Sequence, residues 1–342
     1  MIHLRFSNAF FPVIKNNSLL LKSIKSRRHF SSITTSDIKS IENIKIKDFI
    51  KKNIGVTTNL NPKYLVDVFS NTTKSLEDGC GPIHHIALRG IKFNNGDSTL
   101  AQIQSNLLQI GYVPTNSGHM ASIKGTFQEY NPNTAKEIGI PKNPYVFSST
   151  TEINTYSKKV QNIILDLKKY FENPEELSSF ANNHKDKEIP LSLHDYQSLL
   201  NESQYLAWYV TNYLALNTKK DVDLTTIKQP LNHFAYTINN HPTFNTCKKI
   251  NHELHANNID VNAQDGKDIQ VVHYSDTDTF EQSSTKSNYF KLYFLNESTL
   301  KDVPGTYVEF VRHPEEFIFK GFFNAAGLFS STDNSVELKK KL

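Results

Sequence analysis

Apolar residues along the chain fall into two periods, and the places where one period gives way to the other mark out the elements. Ile83-His84-His85-Ile86-Ala87-Leu88-Arg89 reads as a strand, followed by a loop over Gly90 to Gly96. Asp97 or Ser98 then stands where it can cap a helix carrying Leu100, Ile103, Leu107, Leu108 and Ile110 at three- and four-residue intervals, with Gly111 as its stop. Short β-like runs follow and end near Pro144-Tyr145-Val146-Phe147. From Ile153 to Phe180 and from Leu193 to Leu216 the period is helical. Ile163, Ile164, Leu167 and Tyr170 form one stripe and Tyr205, Trp208, Tyr209 and Tyr213 another, both read as core. At Leu231-Asn232-His233-Phe234-Ala235-Tyr236-Thr237 the strand pattern begins again. Pro242 opens a helix that runs through Cys247, Ile250 and Leu254 to Asn257-Asn258. Upstream of all these, Ser36 to Lys52 and Pro62 to Leu76 read as two short packing helices.

The two strand, loop and helix units share a detail. Each first strand carries His, a large apolar residue and Ala, as His85-Ile86-Ala87 and His233-Phe234-Ala235. In a strand His and Ala then share one face, a polar group beside the smallest side chain, which suits a ligand-lined concavity. The pattern predicts an α+β fold of two β-α-β modules, about residues 79–150 and 230–335, flanking a helical insert at about 151–225. Residues 31–342 would form a single catalytic domain; the alternative is that a three-letter echo arose by chance.

Composition narrows the classes. The chain has 342 residues, 38% of them hydrophobic and 21% charged, which supports a sizeable core and excludes a disordered or collagen-like chain. Its longest apolar stretches, such as Ala9 to Ile14, fall short of the roughly 20 residues of a spanning helix, so no membrane partner is expected. The net charge of +4 belongs to the leader: residues 1–30 hold Arg5, Lys15, Lys22, Lys25, Arg27 and Arg28 and no acid, which leaves the remainder at −2. A nucleic-acid partner is therefore not expected either. The basic, acid-free segment ends in Arg27-Arg28-His29-Phe30 before Ser31-Ser32 and reads as a mitochondrial transit peptide, pointing to the matrix; an uncleaved basic tail is the alternative. Cys80 and Cys247 form no C-x-x-C pair, in keeping with a reducing compartment.

Among the histidines, His252 and His255 stand one turn apart among Asn and Glu and read as a solvated helix face. His85 and His233 differ, because each interrupts an apolar strand on the face that bears alanine. The strand Tyr307-Val308-Glu309-Phe310-Val311 holds Glu309 where an unpaired carboxylate would be costly to bury, so it needs a cation. Two neutral imidazoles and a carboxylate are the donor set of non-haem Fe(II) oxygenases, which leaves positions for substrate and O2. A salt bridge from Glu309 to Arg312 or Arg89 is the competing reading. Parity assigns His85 rather than His84 to the site, since His84 shares its face with Ile86 and Leu88 and should pack on helices. Arg89 lies four residues beyond His85, roughly 13 Å along the strand, and its guanidinium can fold back to clamp a carboxylate.

These residues resemble the 2-oxoadipate dioxygenase/decarboxylase family. The resemblance is carried by His85-Ile86-Ala87-Leu88-Arg89, Leu231-Asn232-His233-Phe234, Phe280-Glu281-Gln282-Ser283-Ser284, Val303-Pro304-Gly305-Thr306-Tyr307-Val308-Glu309-Phe310 and Asn324-Ala325-Ala326-Gly327-Leu328-Phe329. It implies a vicinal-oxygen-chelate-like fold, with a curved sheet around Fe(2+) held by His85, His233 and Glu309. Arg89 matches the family's substrate-binding arginine, Gln282 a polar family position, and Asn324 stands where bacterial members carry serine. The implied reaction converts 2-oxoadipate and O2 to 2-hydroxyglutarate and CO2 in lysine catabolism. Two other classes stay open: another metal enzyme on this fold, such as an isomerase or lyase, and a non-catalytic dicarboxylate-binding protein.

Overall fold

The computed structural model describes residues 48–55, 83–120, 123–132, 144–218, 227–239, 243–263, 266–273 and 279–313. The leader, the expected helix from Pro62 to Leu76, Cys80, Pro242 and Asn324 lie outside the described residues. Of the expected helix from Ser36 to Lys52 only its end is described: residues 48–53 are helical and lead into β1, Ile54–Gly55. Among the described residues no helix is long and apolar enough to cross a membrane.

Two units of the same topology follow. The first comprises β2 (Ile83–Lys92), α1 (Ala101–Gln109), β3 (Tyr112–Met120), β4 (Gly125–Pro132) and β5 (Tyr145–Glu152). The second comprises β7 (Gln229–Thr237), α6 (Cys247–Ala256), β8 (Gln270–His273), β9 (Thr279–Ser284) and β12 (Tyr307–Arg312). In each unit the first strand pairs parallel with the last, and the two middle strands continue outward antiparallel. β2 and β7 pair antiparallel and join the units into one sheet of order β3-β4-β5-β2-β7-β12-β9-β8. This is the α+β pairing of two modules that the repeated strand motif predicts, in the vicinal-oxygen-chelate-like form that the family resemblance implies.

The insert differs from its expected two helices. The run from Ile153 to Phe180 breaks at Asn173-Pro174 into α2 (Lys158–Glu172) and α3 (Pro174–Asn183), because proline has no N–H to continue a helix and Asn173 instead caps the next one by accepting from Glu175 N. The second run breaks likewise into α4 (Leu193–Glu202) and α5 (Gln204–Asn217), where Ser203 accepts from Leu206 N. The helix after β2 also starts otherwise than expected: its cap position is Leu100, which makes no side-chain cap bond, while Ser98 Oγ accepts from the Leu100 N–H. Gly111 ends the segment at φ +97°, a conformation glycine adopts without strain. A small sheet absent from the sequence reading, β11-β10-β6, links the insert strand β6 (Glu188–Ile189) to β10 (Tyr289–Phe294) and β11 (Lys301–Pro304).

One face of the main sheet is sealed by helices. Ile86, Val146, Phe234, Val308 and Phe310 pack there with Ile103 and Leu107 of α1 and Ile250 and Leu254 of α6. Alternation leaves the opposite face to His85, Ala87, His233, Ala235 and Glu309. Leu107→Ala should therefore cost about 2 to 5 kcal/mol of unfolding free energy, measured by urea denaturation followed by circular dichroism. A loss well under 1 kcal/mol would mean that α1 does not seal this face.

Candidate metal centre

Register brings the candidate residues together. Across the β2–β7 seam His85 faces Ala235 and Ala87 faces His233, so each imidazole rises beside a methyl group on the neighbouring strand. β12 then sets Glu309 beside Ala235 and Tyr307 beside His233. His85 Nε2 lies 3.2 Å from His233 Nε2, and Glu309 Oε2 lies 3.3 Å from the first and 3.4 Å from the second. Donors held about 2.1 Å from one ion in facial or tetrahedral geometry lie roughly 3.0 to 3.4 Å apart, so this triangle fits a metal. Among the described residues these three are the group of His, Cys, Asp and Glu side chains that converges in this way. All three are buried, at 1%, 5% and 2% exposure for His85, His233 and Glu309.

The outer imidazole nitrogens are held as a ligand set requires. His233 Nδ1 lies 2.9 Å from Asn232 Oδ1 and 2.7 Å from the Tyr307 hydroxyl. Asn232 Oδ1 can only accept, which puts the proton on Nδ1 and turns the Nε2 lone pair to the centre. Burial first, then the neighbouring His85 and the Arg89 cation, hold His233 well below the ordinary histidine pKa, so it stays neutral. His85 Nδ1 lies 2.9 Å from His84 Nδ1. Burial, then His85 and His313, likewise keep His84 neutral, able to accept from His85.

His84 requires a correction. The register shifts between Ile83 and His85, a bulge that breaks the alternation, and the His84 ring lies among site-face rings instead of under the helices. Its centroid is 5.2 Å from that of His85, 5.3 Å from Tyr145 and 5.6 Å from His313. In the competing reading of Glu309 as a salt-bridge partner, the Arg312 arm fails, because Arg312 pairs with Glu281 at 3.3 Å. His252 and His255 are exposed on α6, as expected of a solvated face.

Arg89 is buried and reaches back to the triad, hydrogen-bonding to Tyr307. Its guanidinium lies 4.7 Å from the Tyr205 ring centroid, and Tyr205 belongs to the insert helix α5. The Tyr205 hydroxyl in turn accepts from the Gly90 N–H at 3.1 Å and sits beside the carbonyls of Gly90 and Ser149. Gln282, 3% exposed, pairs with Val311 on β12, two residues from Glu309 and on the same face. Among the described residues its Oε1 meets no hydrogen-bond donor, which leaves an acceptor at the edge of the site. Sequence reasoning missed Tyr307, Asn232, Tyr205 and Phe147. Alternation from Glu309 could have found Tyr307, and adjacency to His233 could have found Asn232. Tyr205 and Phe147 carry no local signal, since their site contacts are made across the sheet or from the insert.

No family model matches the chain. It is similar to the chloroplastic 2-oxoadipate dioxygenase/decarboxylase of Arabidopsis thaliana, with 26% identity over 259 residues, 74% of this chain. The chain spans 63% of that relative's length, less than two thirds of it. It also resembles the structure of the hydroxyglutarate synthase in complex with 2-oxoadipate from Oryza sativa, with a TM-score of 0.55 and 18% identity, over 86% of this chain and 93% of that one. That likeness is one of fold.

Two outcomes follow from the geometry. His85→Ala, His233→Ala and Glu309→Ala should each abolish the rise in Tm that a divalent metal gives, whereas His84→Ala and Asn232→Ala should still bind metal about 10 to 100 times more weakly. Isothermal titration decides; full affinity in any triad variant would remove that residue from the ligand set. In metal-free protein the neutral, buried His84 and His233 bind no proton where the unfolded chain takes one up near pH 6.5. Stability should therefore fall as pH drops below that value, by about 1.4 kcal/mol per pH unit for each histidine. Urea midpoints from pH 7 to 5 measure this, and His233→Ala should flatten the slope.

Proposed function

We propose that this protein is an Fe(II)-dependent 2-oxoadipate dioxygenase/decarboxylase, yielding 2-hydroxyglutarate and CO2 in lysine breakdown. The observation that carries the reading is the buried His85, His233 and Glu309 triangle with the guanidinium of Arg89 at its rim. The similarity to the Arabidopsis thaliana enzyme supports the same substrate class. The acid-free basic segment 1–30 supports a setting in the mitochondrial matrix.

Bound by the two imidazoles and the carboxylate, Fe(2+) would supply the one-electron chemistry that lets O2 react with a 2-oxo acid. The overall reaction balances without a second reductant. Breaking the C1–C2 bond releases CO2 and two electrons, and oxidation of the neighbouring C–H bond supplies two more. The four electrons reduce O2, one oxygen atom ending in the new carboxylate and the other in the new hydroxyl.

The chain's own contribution is position and charge. Arg89 presents a planar cationic fork to the carboxylate at the far end of the substrate, and Tyr205 and Tyr307 hold that fork in place. Asn232 keeps His233 in the ligating tautomer. Phe147 and Tyr145, both buried, line the adjoining strand and keep that side free of water.

Loading the protein with Fe(2+) anaerobically, adding 2-oxo diacids and then admitting O2 tests the reading. Uptake of one O2 for each CO2 and each 2-hydroxy acid is expected. Turnover without O2 would point to an isomerase or lyase, and tight diacid binding with no turnover to a binding protein. Wild type should also prefer a 2-oxo diacid to a 2-oxo monoacid of equal length. Arg89→Ala should lose most of that preference, at a cost of about 2 to 5 kcal/mol in diacid kcat/KM, and Arg89→Lys should not restore it. An unchanged ratio would remove Arg89 from substrate recognition.

A further inference from the structure

The strand registers of the two modules agree residue for residue around the triad. In the first module β2 pairs parallel with β5, setting His85 beside Tyr145 and Ala87 beside Phe147. In the second, β7 pairs parallel with β12, setting His233 beside Tyr307 and Ala235 beside Glu309. The seam is reciprocal as well, with His85 facing Ala235 and Ala87 facing His233. A pseudo-two-fold axis between β2 and β7 therefore exchanges His85 with His233, Ala87 with Ala235 and Tyr145 with Tyr307. The same operation exchanges Glu309 with Phe147, so that a carboxylate beside the alanine of one half answers to a phenyl ring in the other, and it exchanges Arg89 with Thr237.

We infer that Phe147 occupies the place of a second carboxylate ligand and keeps the metal at three protein donors, with the side facing the first module free for substrate. The inference rests on the metal reading of the triad. Phe147 is 3% exposed, and its ring centroid lies 4.6 Å from that of His85, while Glu309 meets both imidazoles from the other module. A phenyl ring offers no donor and resists displacement by water, so it blocks a fourth protein ligand without filling the metal's position with solvent. It also packs against the ring of Phe127, 5.7 Å away, which fixes it in the wall. A carboxylate in its place would have the same backbone relation to the imidazoles that Glu309 has, and would take up a position that a two-point substrate needs.

Moving the carboxylate across the axis tests this, with Co(2+) as the probe in the purified full-length chain. Wild type, Glu309→Phe, Phe147→Glu, Phe147→Gln and the exchange Phe147→Glu/Glu309→Phe are compared by competition with a chromophoric chelator and by thermal unfolding. Glu309→Phe should lose at least tenfold in Co(2+) affinity, and the exchange should regain at least tenfold over it, because the same three donor types are restored from the opposite module. Phe147→Glu should unfold at a lower temperature than wild type without metal, show a larger metal-induced rise in Tm, and bind Co(2+) at least tenfold more tightly than Phe147→Gln. Affinity in the exchange no better than in Glu309→Phe would overturn the inference, as would an exchanged protein that stays unfolded with metal present. Absence of Co(2+) and Fe(2+) binding in wild type would instead overturn the metal reading itself, so the two failures are distinct.

Discussion

The antiparallel pairing of β2 with β7 is the constraint on which the site depends. Side chains alternate with period two, so a slip of one residue along this seam would turn a histidine from the triad to the helix-packed face. What pins the register lies on the other side of the sheet, where Ile86 pairs with Phe234 beneath α1 and α6. The apolar layer and the polar triangle are thus two faces of one interaction: burial on one face fixes donor positions on the other to within the few tenths of an ångström that metal ligation tolerates. The alanines matter for the same reason. Ala87 and Ala235 leave the space that the opposing imidazoles fill, and a larger side chain at either would separate the donors.

Burying these groups is costly in isolation, and the charges that surround them offset the cost. Glu309 is 2% exposed and Arg89 6%, with Tyr307 between them and in contact with His233. One carboxylate and one guanidinium cancel, and a divalent ion held through imidazole lone pairs would leave the triad and Arg89 together at two positive charges. A dianionic 2-oxo diacid neutralises that excess, whereas a monoacid does not. Charge balance is thus consistent with the proposed 2-oxo diacid substrate, independently of the shape of the pocket.

Much of this was legible in the amino-acid sequence, and the parts that were not share a physical reason. The His, apolar, Ala echo disclosed the paired first strands, and the isolated Glu309 in an apolar strand disclosed the third donor. Alternation alone could not reveal the bulge at His84, because one extra residue changes the facing of its neighbours without changing composition. Nor did the helical period reveal the breaks at Asn173-Pro174 and Ser203, although both residues are cap formers and could have been read as such. Tyr205 and Phe147 were out of reach for a different reason. Tyr205 meets Gly90 across 115 residues of chain, and Phe147 gains its meaning only from the register of a strand that follows a loop and two others.

The helical insert is where the two modules acquire a fixed relation to the substrate end of the site. α5 is buried along nearly its whole length and so lacks the one-sided pattern of a surface helix. Tyr205 near its start bonds to Gly90 of β2 and lies beside Ser149 of β5, both in the first module. Trp208 donates to the Gly305 carbonyl at 2.8 Å, and Asn212 to the Pro304 carbonyl at 2.9 Å, both at the turn into β12 of the second module. One rigid helix thus spans the strands that carry Arg89 and Glu309. The spacing of the proposed metal from the proposed carboxylate clamp is given by β2, which carries both His85 and Arg89, and α5 braces it by stacking on the guanidinium while it holds the turn into the carboxylate strand; a fixed separation of that kind is what selection among the proposed 2-oxo diacids of different length would require.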